Sequence, residues 1–128
     1  MPPVFLVMLG GAAGSGARYL TGRAMSSLFG AGYPFGTLAV NLVGGLLMGV
    51  LAGMLAKAGD GESWRLLLGV GVLGGFTTFS AFALDTIVLI ERGQATIALG
   101  YILLSVIGSI LAVFAGLTLT RAIFGTLA

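Results

Sequence analysis

The chain contains no cysteine and no histidine. Disulfides, thiolate nucleophiles, imidazole bases and the usual zinc ligands are thereby excluded. Charge is scarce too: six Lys and Arg against four Asp and Glu make up 8% of 128 residues, where a soluble domain carries about 25%. The net charge of +2 is too small and too dispersed for a nucleic-acid footprint. No Asp or Glu precedes Asp60, so the first half lacks the acid a proton relay uses inside a membrane. The N-terminus shows no basic n-region and no convincing cleavage site, so its first apolar run is expected to be a retained helix.

What remains is apolar. Hydrophobic residues make up 58% of the chain, the mean hydropathy is +1.14 and glycines number 23. This is the composition of an integral membrane protein. Four apolar segments are expected: Pro3 to Leu20 with Arg18 interrupting it, Pro34 to Ala56, Trp64 to Ile90, and Ala95 to Leu119. Each is near or above the ~20 residues that span a bilayer core. Short polar connections, Thr21–Tyr33, Lys57–Ser63 and Glu91–Gln94, join them. The expected architecture is a single four-helix transmembrane domain over residues 1–128.

The basic residues divide evenly between the two ends of such a bundle. Lys57, Arg65 and Arg121 fall on one side, and Arg18, Arg23 and Arg92 on the other. The positive-inside rule then gives no preference. Either the topology is undetermined by charge, or copies insert both ways and pair antiparallel.

Gly10 and Gly14, and Gly45, Gly49 and Gly53, follow the small-xxx-small spacing of closely packed membrane helices. Gly69, Gly71, Gly74 and Gly75 superficially suggest a nucleotide loop, but no lysine follows and no strand precedes them.

The third segment contains Gly74-Gly75-Phe76-Thr77-Thr78-Phe79-Ser80-Ala81-Phe82. Adjacent glycines each weaken a helix by roughly 1 kcal/mol relative to alanine, and a break is expected there. Irregular backbone survives in hydrocarbon only where protein or a polar cavity covers it, and such breaks recur at ion and substrate sites. Asn41, the one asparagine, offers two donors and an acceptor. It can ligand an anion or make an interhelical hydrogen bond worth about 0.6–2 kcal/mol. Thr37, four residues earlier, shares its face. Phe76, Phe79 and Phe82 recur every three residues, as packing or as electropositive ring edges for an anion. Tyr101, Ser105 and Ser109 form a hydroxyl stripe, unless the serines bond back to helix carbonyls. Asp85 either ends that polar track or snorkels at the interface.

These residues resemble the Fluc (CrcB) family of small fluoride channels. The matching stretches are Gly11-Ala12-Ala13-Gly14 through Arg18-Tyr19, Gly36 through Asn41 with Gly44, and Gly74 through Phe82. The resemblance spans essentially the whole chain. It implies an all-α membrane protein with four transmembrane helices, the third broken, forming an antiparallel dual-topology homodimer with two fluoride pores. It further implies that Phe79 and Phe82 line the pores with Asn41 beside them, and that Tyr101, Ser105 and Ser109 make a hydroxyl track with Thr37 and Ser80 nearby. Arg18 corresponds to a vestibule arginine. The carbonyls of Gly74 and Thr77 correspond to ligands of a structural sodium ion (Na+) on the dimer axis. Ala81 stands where threonine is common, and Asp85 where glutamate is common.

The physical chemistry suits that assignment. A pore must replace the water of a small, strongly hydrated anion with donors, yet bind it weakly enough to release it. Neutral donors and aromatic edges meet both demands. Passive efflux across a prokaryotic plasma membrane is the implied activity, with fluoride, membrane lipid and a second copy as partners and no enzymatic reaction. The alternatives are a proton-coupled multidrug exporter, which wants an acid in the first segment, and a non-transporting assembly subunit.

Overall fold

The computed structural model describes residues 2–58 and 61–125, and every element in it is helical. Asp60, and with it part of the expected connection Lys57–Ser63, lies outside the described residues.

Helix α1 runs Pro3–Phe29. Proline suits its first turn, where the missing N–H would be unpaired anyway. The helix extends well past Leu20, through most of the expected connection Thr21–Tyr33. No proline interrupts that stretch, and the chain leaves the helix at Gly30, whose φ of 81° a side chain would oppose. The Gly30 N–H still reaches the Ser26 carbonyl at 2.9 Å. Helix α2 covers Phe35–Ala58.

The third helical segment, α3 (residues 62–76), is not uniformly α-helical. One α-turn at Glu62–Trp64 leads into nine residues of π-helix at Arg65–Leu73, followed by Gly74–Phe76. Helicity stops over residues 77–79, with Thr77 extended at φ −84° and ψ 161°. It resumes as α4, Ser80–Glu91. The glycine pair itself stays helical, so the interruption lies three residues beyond the position its composition suggested. With the helix broken between them, Phe76 and Phe79 do not share a helical face. A turn containing Gly93, at φ 79°, leads to α5, Ala95–Phe124.

Among the described residues, three stretches are long and apolar enough to cross a membrane: Phe35–Lys57, Glu62–Glu91 and Ala95–Phe124. Glycines, Ser15 and Arg18 lower the hydropathy of α1, which at 27 residues is about 40 Å long at 1.5 Å per residue.

Small residues set the packing, as their spacing predicts. A Cβ on Gly10 would collide with the Leu67 carbonyl, and one on Gly14 with the Val72 carbonyl, so α1 lies backbone to backbone along α3 and runs parallel to it. A Cβ on Gly75 would stand 2.7 Å from the Gly11 carbonyl. Gly75 thus admits α1, whereas a Cβ on Gly74 would meet only the Gly69 carbonyl at 3.5 Å, and neither glycine ends the helix. On the opposite flank, Gly45 faces the Ser109 carbonyl, Gly49 the Val113 carbonyl and Gly53 the Thr120 side chain, joining α2 to α5 in parallel. A small core of Leu38, Phe82, Leu89, Ala98 and Tyr101 joins α4 to α2 and α5.

Candidate functional site

The interruption at residues 77–79 is organised by α2. The Asn41 Nδ2 donates to the Thr78 carbonyl at 2.9 Å, while the Thr78 N–H donates to Asn41 Oδ1 at 2.8 Å. One amide side chain therefore replaces the two helical hydrogen bonds that Thr78 forgoes. Thr78 in turn caps α4: its Oγ1 accepts from the Ala81 N–H at 3.2 Å. The four donors that would close the last turn of α3 are those of residues 78–81. Two of them are diverted to side chains, so the carbonyls of Gly74 and Thr77 lose their i+4 partners. The carbonyl of Gly75, between them, accepts from Arg18 Nε at 3.1 Å. The break is thus stitched to both α1 and α2.

Two cavities flank it. The first, of about 510 Å³, opens where α1 and α4 end and α2 begins, and Arg18, Arg23, Thr37, Thr78, Asp85 and Arg92 are among its lining residues. The three arginines expected on one side of the membrane thus line one chamber. Tyr33 closes part of its wall, and burial pushes its phenol above the usual value of 10.0. The second cavity, of about 540 Å³, lies on the far side of the Asn41–Thr78 clamp. Asn41, Phe79, Phe82, Ser105 and Ser109 border it, together with Gly74 and Thr77. Among the described residues, its lining contains no charged side chain. Thr78 belongs to both cavities and separates them.

Most of the sequence-predicted residues therefore meet around the second cavity. Phe79 and Phe82 lie with ring centroids 5.6 Å apart, yet differ in setting: Phe82 is 8% exposed and Phe79 78%. The hydroxyl stripe on α5 points inward, but its members are used differently. Tyr101 is fully buried behind Phe82 and donates to the Asp85 carboxylate at 3.1 Å. Ser105 is 5% exposed, and its Oγ is buried without a hydrogen-bond partner among the described residues. A buried hydroxyl left unpaired costs about 1–3 kcal/mol, so it is available to a ligand. Ser80 lies outside both linings, exposed beside the Thr78 hydroxyl at 3.4 Å. Thr37 lines the first cavity and Asn41 the second, although they share a helix face.

Sequence reasoning misses two features. Thr78 reads as one hydroxyl among several, yet its backbone anchors the break; its position three residues before Ala81 is a capping-type signal. The Tyr101–Asp85 hydrogen bond joins residues sixteen positions apart, on separate helices, with no periodicity to connect them.

Comparison with known proteins places this arrangement. Residues 5–117 match the family described as "CrcB-like protein, Camphor Resistance (CrcB)". A protein of Sphingopyxis alaskensis is 53% identical over 94% of this chain and 97% of its own length. One from a Caulobacter species is 55% identical over 97% and 98%. A third, from Phenylobacterium zucineum, is 52% identical over 97% and 99%. Each carries the name fluoride-specific ion channel FluC.

Proposed function

This chain belongs to the CrcB family, and from that premise we infer that it is a fluoride-specific ion channel, a multi-pass membrane protein rather than an enzyme. The observation that carries the inference is nearly full-length similarity, at about half the residues identical, to channels of that name. The second cavity suits such an ion: it has a buried, unpaired serine hydroxyl, two phenyl rings and no fixed charge on its walls. Fluoride collects in the arginine-lined chamber and gives up water against neutral donors and ring edges. It leaves again because no full positive charge holds it.

The pore residues in this reading are Asn41, Phe79, Phe82 and Ser105, with Ser109, Tyr101, Thr37 and Ser80 along the track and Arg18 at its mouth. Asn41 has one N–H left after pairing with Thr78, and that N–H is its contribution to the ion. Two copies insert antiparallel, each pore drawing on both subunits. The exposure of Phe79 supports this, since a pore-lining ring would otherwise face lipid alone. All four helical segments, α1, α2, the broken α3–α4 and α5, cross the membrane. The host membrane is a prokaryotic plasma membrane, where an interior-negative potential drives the anion out.

A structural sodium ion on the dimer axis fits the donors available. The carbonyls of Gly74 and Thr77 have lost their helical donors, and hard cations take such oxygens. The described residues offer no cluster of acidic side chains as an alternative. If sodium stabilises the purified dimer against heat more than equimolar N-methylglucamine does, the site holds; equal effects reject it.

The test of function is fluoride release from liposomes containing the purified protein, followed with a fluoride electrode. Rapid release that protein-free liposomes lack supports the channel. Vesicles that remain fluoride-tight overturn it.

A further inference from the structure

The first cavity, of about 510 Å³, is no larger than the second, at about 540 Å³, and both lie within the roughly 300–1,000 Å³ of small-molecule sites. What separates them is the lining: neutral donors and phenyl rings around the second, guanidinium groups around the first. The first chamber therefore selects by charge and hydrogen-bond geometry.

Both features are specific. Every basic residue lining the chamber is arginine, namely Arg18, Arg23 and Arg92, opposed by the single carboxylate of Asp85. That carboxylate already accepts the Tyr101 hydroxyl. Arg18 is committed through Nε to the Gly75 carbonyl, and its terminal nitrogens make no further hydrogen bond among the described residues. Arg92 uses one terminal nitrogen on the Gly32 carbonyl at 3.2 Å. Arg23 lines the chamber with its side chain exposed. Guanidinium presents paired donors that match the oxygens of a phosphate, a geometry a monatomic halide does not exploit. The hydroxyl of Ser26 and phenol of Tyr33 add neutral donors on the same wall. The chamber lies at the helix ends, within reach of water and of lipid headgroups alike.

We propose that this chamber is a binding site for a phosphate group, and that its occupancy throttles the anion traffic entering from that side. Bound phosphate cancels the positive charge that concentrates fluoride and stands in its approach. Throttling rests on the channel reading, whereas phosphate binding does not.

The test therefore has two readouts. In the first, inorganic phosphate is titrated against the purified wild-type protein in neutral detergent, and 31P resonance broadening is measured. In the second, fluoride efflux is followed from vesicles of neutral phosphatidylcholine, with phosphate on both faces at constant ionic strength set by chloride. The same assay is repeated without phosphate in vesicles containing phosphatidylglycerol. The expected result is saturable broadening and slower efflux with phosphate than with chloride. Arg23→Gln/Arg92→Gln should raise the half-effective phosphate concentration about tenfold, as expected when charge-assisted pairs are removed. These two side chains are exposed, so folding is not at stake, and gel filtration checks it. Slowing by phosphatidylglycerol that the double variant relieves identifies a lipid phosphate as the occupant. Slowing that the variant retains is a surface-potential effect and counts against the site. Absence of broadening, or equal broadening in the double variant, overturns the proposal whether or not the vesicles conduct fluoride.

Discussion

Asn41 and Thr78, thirty-seven positions apart, form a reciprocal pair in which one amide side chain both donates to and accepts from one residue's backbone, at 2.9 and 2.8 Å. This pairing lets the third helix open between residues 77 and 79 without stranding Thr78 in an apolar surrounding.

Asn41→Asp removes the donor to the Thr78 carbonyl and places negative charge beside the pore. Fluoride efflux at neutral pH should fall by at least about tenfold, the effect of roughly 1.4 kcal/mol on a barrier. Asn41→Ala should also destabilise, because both backbone groups of Thr78 lose partners at about 1–3 kcal/mol each. Undiminished flux in the aspartate variant would show that Asn41 serves the backbone alone.

The two phenylalanines should separate stability from transport. Phe82 is buried against Tyr101, so Phe82→Ile should lower both thermal stability and flux. Phe79 is exposed in the single chain, so Phe79→Ile should leave the stability of the individual chain nearly unchanged while reducing efflux. Wild-type efflux rates for both variants would remove them from the pore.

Ser105→Ala replaces an unpaired buried hydroxyl by a methyl group. Stability should be unchanged or slightly improved, since an unsatisfied polar atom is removed. Fluoride efflux should nevertheless slow several-fold. A variant that loses stability but conducts normally would mean that the hydroxyl has a structural partner instead.

Gly49→Ala drives a methyl group into the Val113 carbonyl, and separating α2 from α5 should cost about 1–3 kcal/mol. Gly16→Ala meets nothing within 4 Å and serves as the reference. Comparable thermal inactivation of the two in detergent would contradict the close approach.

Because the chain has no native cysteine, one introduced at Ala31, in the exposed turn after α1, reports insertion directly. Antiparallel pairing requires about half of the molecules in native membranes to react with an impermeant thiol reagent from each side, as an even charge division allows. Labelling from one side only would exclude it.

Composition and spacing alone determined that this chain is a membrane protein of four apolar helical segments, where its charges fall, and which glycines bring helices together. These properties depend on hydropathy and side-chain size, both of which a residue carries wherever it sits. The motif from Gly74 to Phe82 likewise marked the neighbourhood of the break, and resemblance carried it to the family. The tertiary structure decided the rest. Nothing local says that Gly74 and Gly75 remain helical while Thr77 does not, because the choice depends on α1 approaching Gly75 and Asn41 capturing Thr78. Nor does a stripe of hydroxyls reveal that Tyr101 is occupied by Asp85 while Ser105 is unpaired. A hydrogen bond between distant segments exists only once packing has set their distance, and the fate of each polar group was settled there.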